Sequence, residues 1–278
     1  MENLTDNRWR LFLDGAHSGA WNMATDEAML VAHARGLVPP TLRFYSWKPF
    51  CLSLGRLQKQ LPDAAHQKIG GYDVVRRPTG GRTVWHSHEI TYSAVVREEL
   101  LPRESRSVEG AYRWLSEGFL RGLQSLGLPV EMAPTGVRTN GSNCFAASAS
   151  CDFLANGKKL IGAAQCRRDD AILQHGSLLL SINEDEWQQL AGGPMSGATS
   201  LEALGLTQDR ETVVQALGEG FAAVAGGQWS RGALTAEEAQ LAQTLLNEKY
   251  SQESWTLHAK LTDGVLESLP KSLLAPAL

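Results

Sequence analysis

The stretch CDFLANGKKLIGAAQC, residues 151–166, decides how the middle of this chain folds. At its centre lies Asn156-Gly157, a dipeptide that favours a two-residue turn with positive φ at both positions, because that turn matches the twist of the flanking strands. Residues 151–155 and 158–166 are therefore predicted to pair as adjacent antiparallel strands. Lys159 then lies one residue into the return strand.

A candidate nucleophile lies upstream of this hairpin. Cys144 belongs to NGSNCFAAS, residues 140–148, a run of small and polar residues that predicts a loop crossing the hairpin. A cysteine beside a cation is a nucleophile, because the cation favours the thiolate. Cys144 above Lys159 is therefore an arrangement suited to acyl transfer. The alternative is a buried core cysteine and a solvated lysine, since both are common for these residue types, and spacing alone leaves both interpretations open.

The segment VRRPTGGRTVWH, residues 75–86, is a candidate ligand loop. Two adjacent glycines allow backbone N–H groups to approach an oxygen-rich ligand closely, with cationic side chains beside it. A Gly-Gly pair by itself is also typical of an ordinary hairpin turn. The candidate binding residues in this segment are Arg76, Arg77, Gly80, Gly81, Arg82 and His86.

Hydrophobic periodicity along the rest of the chain is typical of an α+β domain. A spacing of three to four residues between apolar side chains predicts helices at 20–36 and 107–126. Alternating patterns predict strands at 41–47, 89–96 and 171–182. Because helices and strands do not alternate regularly, we expect a mixed and mainly antiparallel sheet flanked by helices.

Further along the chain the pattern becomes helical. Thr235 followed by Glu238 is a capping-box sequence and predicts the start of a helix. We therefore divide the chain into a catalytic-type domain at 1–225 and a helical C-terminal extension at 226–278, which is packed on that domain or loosely ordered.

Several blocks of the sequence, in this order, resemble the lipoate/biotin protein ligase superfamily over roughly residues 8 to 225. They are NMATDE (22–27), LRFYSWKP (42–49), SLGRLQ (53–58), the glycine–arginine segment at 75–86 and GKKLIGAAQ (157–165). The resemblance implies the fold of the biotin/lipoate ligase catalytic domain, in agreement with the α+β pattern.

Details of the motifs indicate which branch of that superfamily the sequence resembles. Lipoate–protein ligases typically carry a third glycine where this chain has Arg82, and they lack a nucleophilic cysteine at the position of Cys144. Together with ILQHGSL at 172–178, these features resemble the protein octanoyltransferase branch that serves the glycine cleavage H protein. The resemblance implies that Cys144 carries an acyl thioester and that Lys159 lowers its pKa.

The same resemblance implies the partners and the binding residues. Octanoyl-acyl carrier protein is the expected donor, and a lysine of a lipoyl domain, that of the glycine cleavage H protein, is the expected acceptor. No ATP, other cofactor or metal is expected. The implied substrate-binding residues are Arg76, Arg77, Gly80, Gly81, Arg82, His86, Gly162, Ala163 and His175. The alternatives are an ATP-dependent lipoate–protein ligase, an amidotransferase between lipoyl domains, and a non-catalytic acyl- or lipoyl-domain-binding module.

Composition excludes several other classes. The formal charge of −4, from 26 basic and 30 acidic residues, gives no general attraction to nucleic acid or anionic membranes. No apolar run approaches the roughly 20 residues needed to span a bilayer, and the first residues do not have the pattern of a secretory signal. The four cysteines have no C-x-x-C spacing. We therefore expect a cytoplasmic protein with free thiols and no nucleic-acid or membrane partner.

Overall fold

The computed structural model of the chain describes residues 8–67, 71–134, 145 and 152–261. The strands are β1 (Arg8–His17), β2 (Thr41–Trp47), β3 (Cys51–Leu54), β4 (Asp73–Arg76), β5 (Val84–His86), β6 (Glu89–Arg97), β7 (Val130–Met132), β8 (Phe153–Ala155), β9 (Lys158–Arg168), β10 (Ala171–Leu179) and β11 (Gln228–Arg231). The helices are α1 (Gly19–Ala34), α2 (Val108–Ser125), α3 (Glu184–Trp187), α4 (Arg210–Ala225), α5 (Ala236–Leu245) and α6 (Glu253–His258).

Eight strands form one mixed sheet in the order β11-β1-β2-β6-β10-β9-β8-β7. β1 pairs in parallel with both β11 and β2, whereas every other neighbouring pair is antiparallel. The predicted α+β class with a mainly antiparallel sheet is therefore confirmed. The predicted helices and strands are all present, and their ends differ from the prediction by at most three residues.

The hairpin predicted at Asn156-Gly157 joins β8 to β9. Asn156 has a φ of 52° and Gly157 a φ of 74°, as a turn with two positive φ angles requires. Lys158 is exposed and Lys159 is buried, since successive strand residues point to opposite faces. The turn thus directs the Lys159 side chain into the protein.

One face of the large sheet is covered by α2 and α4. Apolar side chains of α2 lie against the sheet in one continuous buried cluster that α4 completes. The two helices approach closely because glycines lie at their contact: a Cβ on Gly122 would lie 2.6 Å from the carbonyl oxygen of Ala216. This layer forms the main core of the domain.

The opposite face is covered by α1, and α5 packs on the outer side of α1. Buried residues of both helices share a cluster with side chains of β2. Ser18 caps the start of α1 by accepting a hydrogen bond from the Trp21 N–H at 3.2 Å. Both faces of the large sheet are therefore covered.

A second, smaller sheet of three strands, in the order β4-β3-β5, lies beside the large one. The glycine-rich segment joins β4 to β5, yet these two strands do not pair with each other. Both flank β3, in parallel and antiparallel register respectively. Gly55 follows β3 and lies so close to the carbonyl oxygen of Gly81 that a Cβ has no room there.

The segment after α4 contacts the rest of the domain at several points. β11 extends the large sheet beside β1, and Thr235 and Glu238 form the predicted capping box at the start of α5. Glu238 also accepts two hydrogen bonds from Arg10, at 2.6 and 2.7 Å, in a buried ion pair. The division of the chain at residue 225 stays a prediction. None of the helices within the described ranges is both long and apolar enough to cross a bilayer.

Candidate active site

A cavity lies between the large and small sheets, where β3 and β5 face β9 and β10. Its lining combines apolar side chains with polar groups: Met23, Tyr45, Trp47, Ser53, Arg77, Val84, His86, Thr91, Gly162, Ala163, Ala164, His175, Gly176 and Ser177. Five of the residues predicted from the sequence to bind substrate, namely Arg77, His86, Gly162, Ala163 and His175, therefore lie around one space.

Lys159 lies near this cavity as a buried cation. Its Nζ atom is 2.8 Å from Oδ2 of Asp152, and both side chains are at most 5% exposed. The same ammonium lies 5.7 Å from the ring centroid of Phe145, within cation–π range. Phe145 directly follows Cys144 in the sequence. Cys144 itself lies outside the described residues, so the pairing of Cys144 with Lys159 stays a prediction.

Phe145 packs on the backbone of β9 at Gly162. A Cβ added to Gly162 would lie 3.0 Å from Cζ of Phe145, which is tighter than ordinary van der Waals contact. Glycine at this position therefore lets the tip of the aromatic ring approach the strand closely. The contact joins Phe145 to the cavity wall, since Gly162 lines the cavity.

His175 forms one of two hydrogen-bonded chains at the cavity wall. Its Nδ1 atom is 3.0 Å from Oδ2 of Asp26, and its Nε2 atom is 2.6 Å from Oγ1 of Thr79. Burial lowers the pKa of His175, and the neighbouring carboxylate of Asp26 only partly offsets that effect. The ring is thus held between a carboxylate and a hydroxyl group and favours the neutral form.

His86 forms the second chain. Its Nδ1 atom is 2.6 Å from Oε1 of Glu89, and its Nε2 atom is 2.7 Å from Oγ of Ser53. Trp47 stacks on the imidazole ring with a centroid separation of 4.0 Å. The sequence indicated His86 but neither Ser53 nor Glu89 as a site residue. Glu89 could have been recognised as a candidate, because it is an acidic residue at the start of a strand that has apolar residues at alternate positions.

The arginines of the glycine-rich segment bind backbone carbonyl groups of the protein. Arg76 donates to the carbonyl oxygens of Gly55 at 2.6 Å, Trp255 at 3.1 Å and Thr256 at 3.0 Å, among others. It is 1% exposed and does not line the cavity. These contacts fit a structural role, and the substrate-binding role of Arg76 stays a prediction.

Arg77 closes the glycine turn. Its guanidinium donates to the carbonyl oxygens of Gly80 at 2.8 Å and Arg82 at 2.6 Å, and to Oγ of Ser53 at 3.1 Å. Gly81 and Arg82 are exposed and line a second depression, which shares no lining residue with the cavity. The structure thus brings Arg77 to the cavity and places Arg82 outside it.

Within the described part of the chain, no group of three or more His, Cys, Asp and Glu side chains is arranged to hold a metal ion. The described groups at the cavity wall include two histidines with carboxylate partners and several hydroxyl groups, and the buried lysine lies near them.

Comparison with known proteins gives consistent matches. Residues 18–222 match the family described as lipoyl protein ligase A/B catalytic domain. Octanoyltransferase LipM of Symbiobacterium thermophilum is 39% identical over 277 residues, covering 91% of this chain and 99% of the relative. Octanoyltransferase LipM of Kyrpidia tusciae is 39% identical over 269 residues, covering 89% of this chain and 97% of that relative. A crystal structure of lipoate-protein ligase A bound with ATP superposes with a TM-score of 0.78 at 25% identity, covering 90% of this chain and 98% of that one.

Proposed function

The chain belongs to the lipoyl protein ligase A/B catalytic-domain family, and we propose that it transfers an octanoyl group from octanoyl-acyl carrier protein to a lysine of a lipoyl domain. Relatives that are 39% identical over nearly their whole length are named octanoyltransferases, which favours this activity over ATP-dependent lipoate ligation. The observation that carries the mechanism is the buried ammonium of Lys159 against Phe145, the residue next to Cys144.

In the first step the thiolate of Cys144 attacks the carbonyl carbon of the donor thioester. The bond between that carbon and the donor sulfur breaks, the acyl group moves to Cys144, and the released thiolate of the donor takes up a proton. A free cysteine has a pKa of about 8.5, so the thiolate is a minor form at neutral pH unless a cation favours it. Lys159 supplies that cation, and Asp152 at 2.8 Å supplies its counter-charge.

In the second step the amine of the acceptor lysine attacks the acyl-enzyme and forms an amide. Exchange of one thioester for another is nearly balanced in energy, and the amide product is more stable than the thioester. The reaction therefore needs no ATP. We propose the lipoyl domain of the glycine cleavage H protein as the acceptor, on the resemblance of the sequence motifs.

The apolar part of the cavity lining supports the proposal of an octanoyl substrate. Met23, Tyr45, Trp47 and Val84 supply apolar surface, and apolar lining with a few polar groups is typical of small-molecule sites. Gly162, Ala163 and Ala164 on β9 add small residues to the same lining.

Intact-mass measurement after incubation with octanoyl-acyl carrier protein, without ATP or magnesium, tests the proposal. We expect a mass increase of one octanoyl group, and loss of that increase when the H protein is added. Cys144→Ala should abolish both, whereas Cys166→Ala, at a buried cysteine on β9, should retain both. A strict requirement for ATP would assign the chain to the ligases, and acylation only by an octanoylated lipoyl domain would assign it to the amidotransferases.

A further inference from the structure

The depression that Arg82 lines is formed mainly by the segment after β3 and by the turn before β5. Residues 57–62 form one part of its wall, residues 81–83 form another, and residues 191–192 complete it. The same two segments also contribute to the cavity, since Ser53 precedes the first and Val84 directly follows the second. The depression and the cavity are therefore walled by the same two stretches of chain.

Hydrogen bonds hold the two segments of this wall together. The side chain of Gln58 donates to Oγ1 of Thr83 at 2.8 Å and accepts from the N–H of Gly55 at 3.2 Å. Arg77 fixes the backbone on the other side, because its guanidinium donates to the carbonyl oxygen of Arg82 at 2.6 Å. A site whose walls are fixed before binding loses less conformational freedom when a ligand binds. The depression is thus a preformed site.

The charged side chains that line the depression are both cations. Arg82 and Lys59 are exposed, and within the described ranges of the chain neither has a carboxylate partner. Two other surface depressions differ, since their linings include carboxylates such as those of Glu211 and Glu99. A guanidinium group suits a phosphate because it can donate two parallel hydrogen bonds to it. The charge of this lining therefore favours an anionic ligand.

The rest of the lining is uncharged and partly apolar. Leu57 is 80% exposed, more than any other large hydrophobic side chain of the described residues. Leu61, Pro62 and Ala191 add apolar surface, and Gln60 adds an amide group. A ligand that matches this lining has a phosphate together with methyl and amide groups. A phosphopantetheine arm has all of these, since a dimethyl-substituted carbon lies near its phosphate and two amides lead to the sulfur that carries the acyl group.

We propose that Arg82 and Lys59 bind the phosphate of a phosphopantetheine arm whose acyl end enters the neighbouring cavity. This inference rests on the proposed function, because octanoyl-acyl carrier protein carries its acyl group on such an arm. Coenzyme A carries the same arm, so the phosphate has two possible sources. The site recognises the chemistry that they share, and the donors used in the test distinguish them.

Two small donors that differ only in the phosphate test the site. Octanoyl-phosphopantetheine and octanoyl-pantetheine share the thioester and both amides, so the ratio of their kcat/KM values for octanoylation of a lipoyl domain reports the phosphate contact. We expect Arg82→Gln to lower this ratio about fivefold and Lys59→Gln to lower it about threefold, as is typical of contacts between charged groups at exposed positions. A variant that only disturbs the structure lowers both values alike and leaves the ratio unchanged.

An arginine elsewhere on the surface and the salt dependence give the controls. Arg103 lies just before α2, is exposed and does not line the depression, so Arg103→Gln should leave the ratio as in the unaltered protein. Because salt screens exposed charges, the ratio of the unaltered protein should fall with rising ionic strength. The double variant Lys59→Gln/Arg82→Gln should have a lower ratio that no longer depends on salt.

The outcomes separate the phosphate site from the proposed function. Lack of transfer from every donor by the unaltered protein would overturn the proposed function and the site with it. Normal transfer with the same donor ratio in Arg82→Gln and Lys59→Gln as in the unaltered protein would overturn the site alone. When the ratio does depend on these residues, a higher kcat/KM with octanoyl-acyl carrier protein than with octanoyl-coenzyme A supports the proposed donor, and the reverse order keeps the site but overturns that donor. Should Arg82→Gln fail to fold, Lys59→Gln and the salt dependence decide.

Discussion

Glu27→Gln is expected to destabilise the protein strongly at neutral pH and much less in acid. Glu27 lies on α1, is 1% exposed, and accepts hydrogen bonds from Lys249 Nζ at 2.7 Å, Tyr250 Oη at 2.6 Å and Arg168 Nη1 at 2.9 Å. The substitution leaves Lys249 and Arg168 buried without their carboxylate. Removal of one partner of a buried ion pair generally costs about 3–5 kcal/mol.

The lowered pKa of Glu27 gives an independent value for the stability that its ion pairs contribute. Burial alone would raise this pKa, but Lys249 and Arg168 lower it from 4.5 to about 2. Since one pKa unit is worth about 1.4 kcal/mol, the lowering corresponds to roughly 3 kcal/mol. Burial lowers the pKa of Lys249 at the same time, so desolvation of the ammonium offsets part of the gain. We therefore expect a loss at pH 7 near the lower end of the range, about 3 kcal/mol.

The sign of the pH dependence follows from the lowered pKa. A carboxyl group whose pKa is depressed in the folded state contributes its full stability above the unfolded pKa, and this contribution is lost as the pH falls through the folded pKa. The difference between the unaltered protein and Glu27→Gln should therefore be largest above about pH 5 and nearly vanish toward pH 2. Urea unfolding followed by tryptophan fluorescence, repeated from pH 7 to pH 3, measures it.

An exposed glutamate gives the matched control: Glu104→Gln should change the unfolding free energy by less than about 0.5 kcal/mol at every pH. If Glu27→Gln changed the unfolding free energy as little as this control at pH 7, or if its effect did not shrink in acid, the ion pairs of Glu27 with Lys249 and Arg168 would not stabilise the fold as described.

Two further predictions concern the active site. The rate of Cys144 alkylation by iodoacetamide should titrate with a midpoint below that of a free thiol; Lys159→Ala should move this midpoint upward and Lys158→Ala should leave it unchanged, because Lys158 is exposed on the opposite face of the strand. An unchanged midpoint in both variants would exclude Lys159 as the activating group. Gly162→Ala should displace Phe145, since the new Cβ would lie 3.0 Å from its ring; we expect a loss of about 1–3 kcal/mol in unfolding free energy and slower acyl-enzyme formation, and unaltered kinetics and stability would contradict this.

Features of the fold that depend on neighbouring residues could be predicted from the sequence. The turn at Asn156-Gly157 and the capping box of Thr235 and Glu238 each follow from a few adjacent side chains, and both are confirmed. Pairing between distant segments could not be predicted in this way. The insertion of β3 between β4 and β5 and the parallel pairing of β11 with β1 are set by packing of the whole chain.

The same distinction applies to the candidate site. The resemblance of the motifs indicated His86, Gly162 and His175, which line one cavity. Sequence reasoning missed Ser53 and Glu89, because a hydrogen-bonded chain across three strands has no spacing that marks it. The sequence also could not show that Arg76 and Arg77 bind backbone carbonyl groups of the protein itself. An arginine in a glycine-rich segment is equally suited to bind an anionic ligand.

The hydrogen bonds of Arg76 have a consequence for synthesis of the protein on the ribosome. Arg76 holds the backbone after β3 through Gly55, and it reaches Trp255, 179 positions later. A ribosome adds about 5–20 residues each second. For many seconds the nascent chain therefore contains every strand of the cavity wall while Arg76 still lacks the carbonyl groups of α6. The hydrogen bonds of Arg76 are completed only when α6 has emerged, so a chain that is truncated before α6 should hold the backbone after β3 less firmly even though all of its cavity-lining residues have been made.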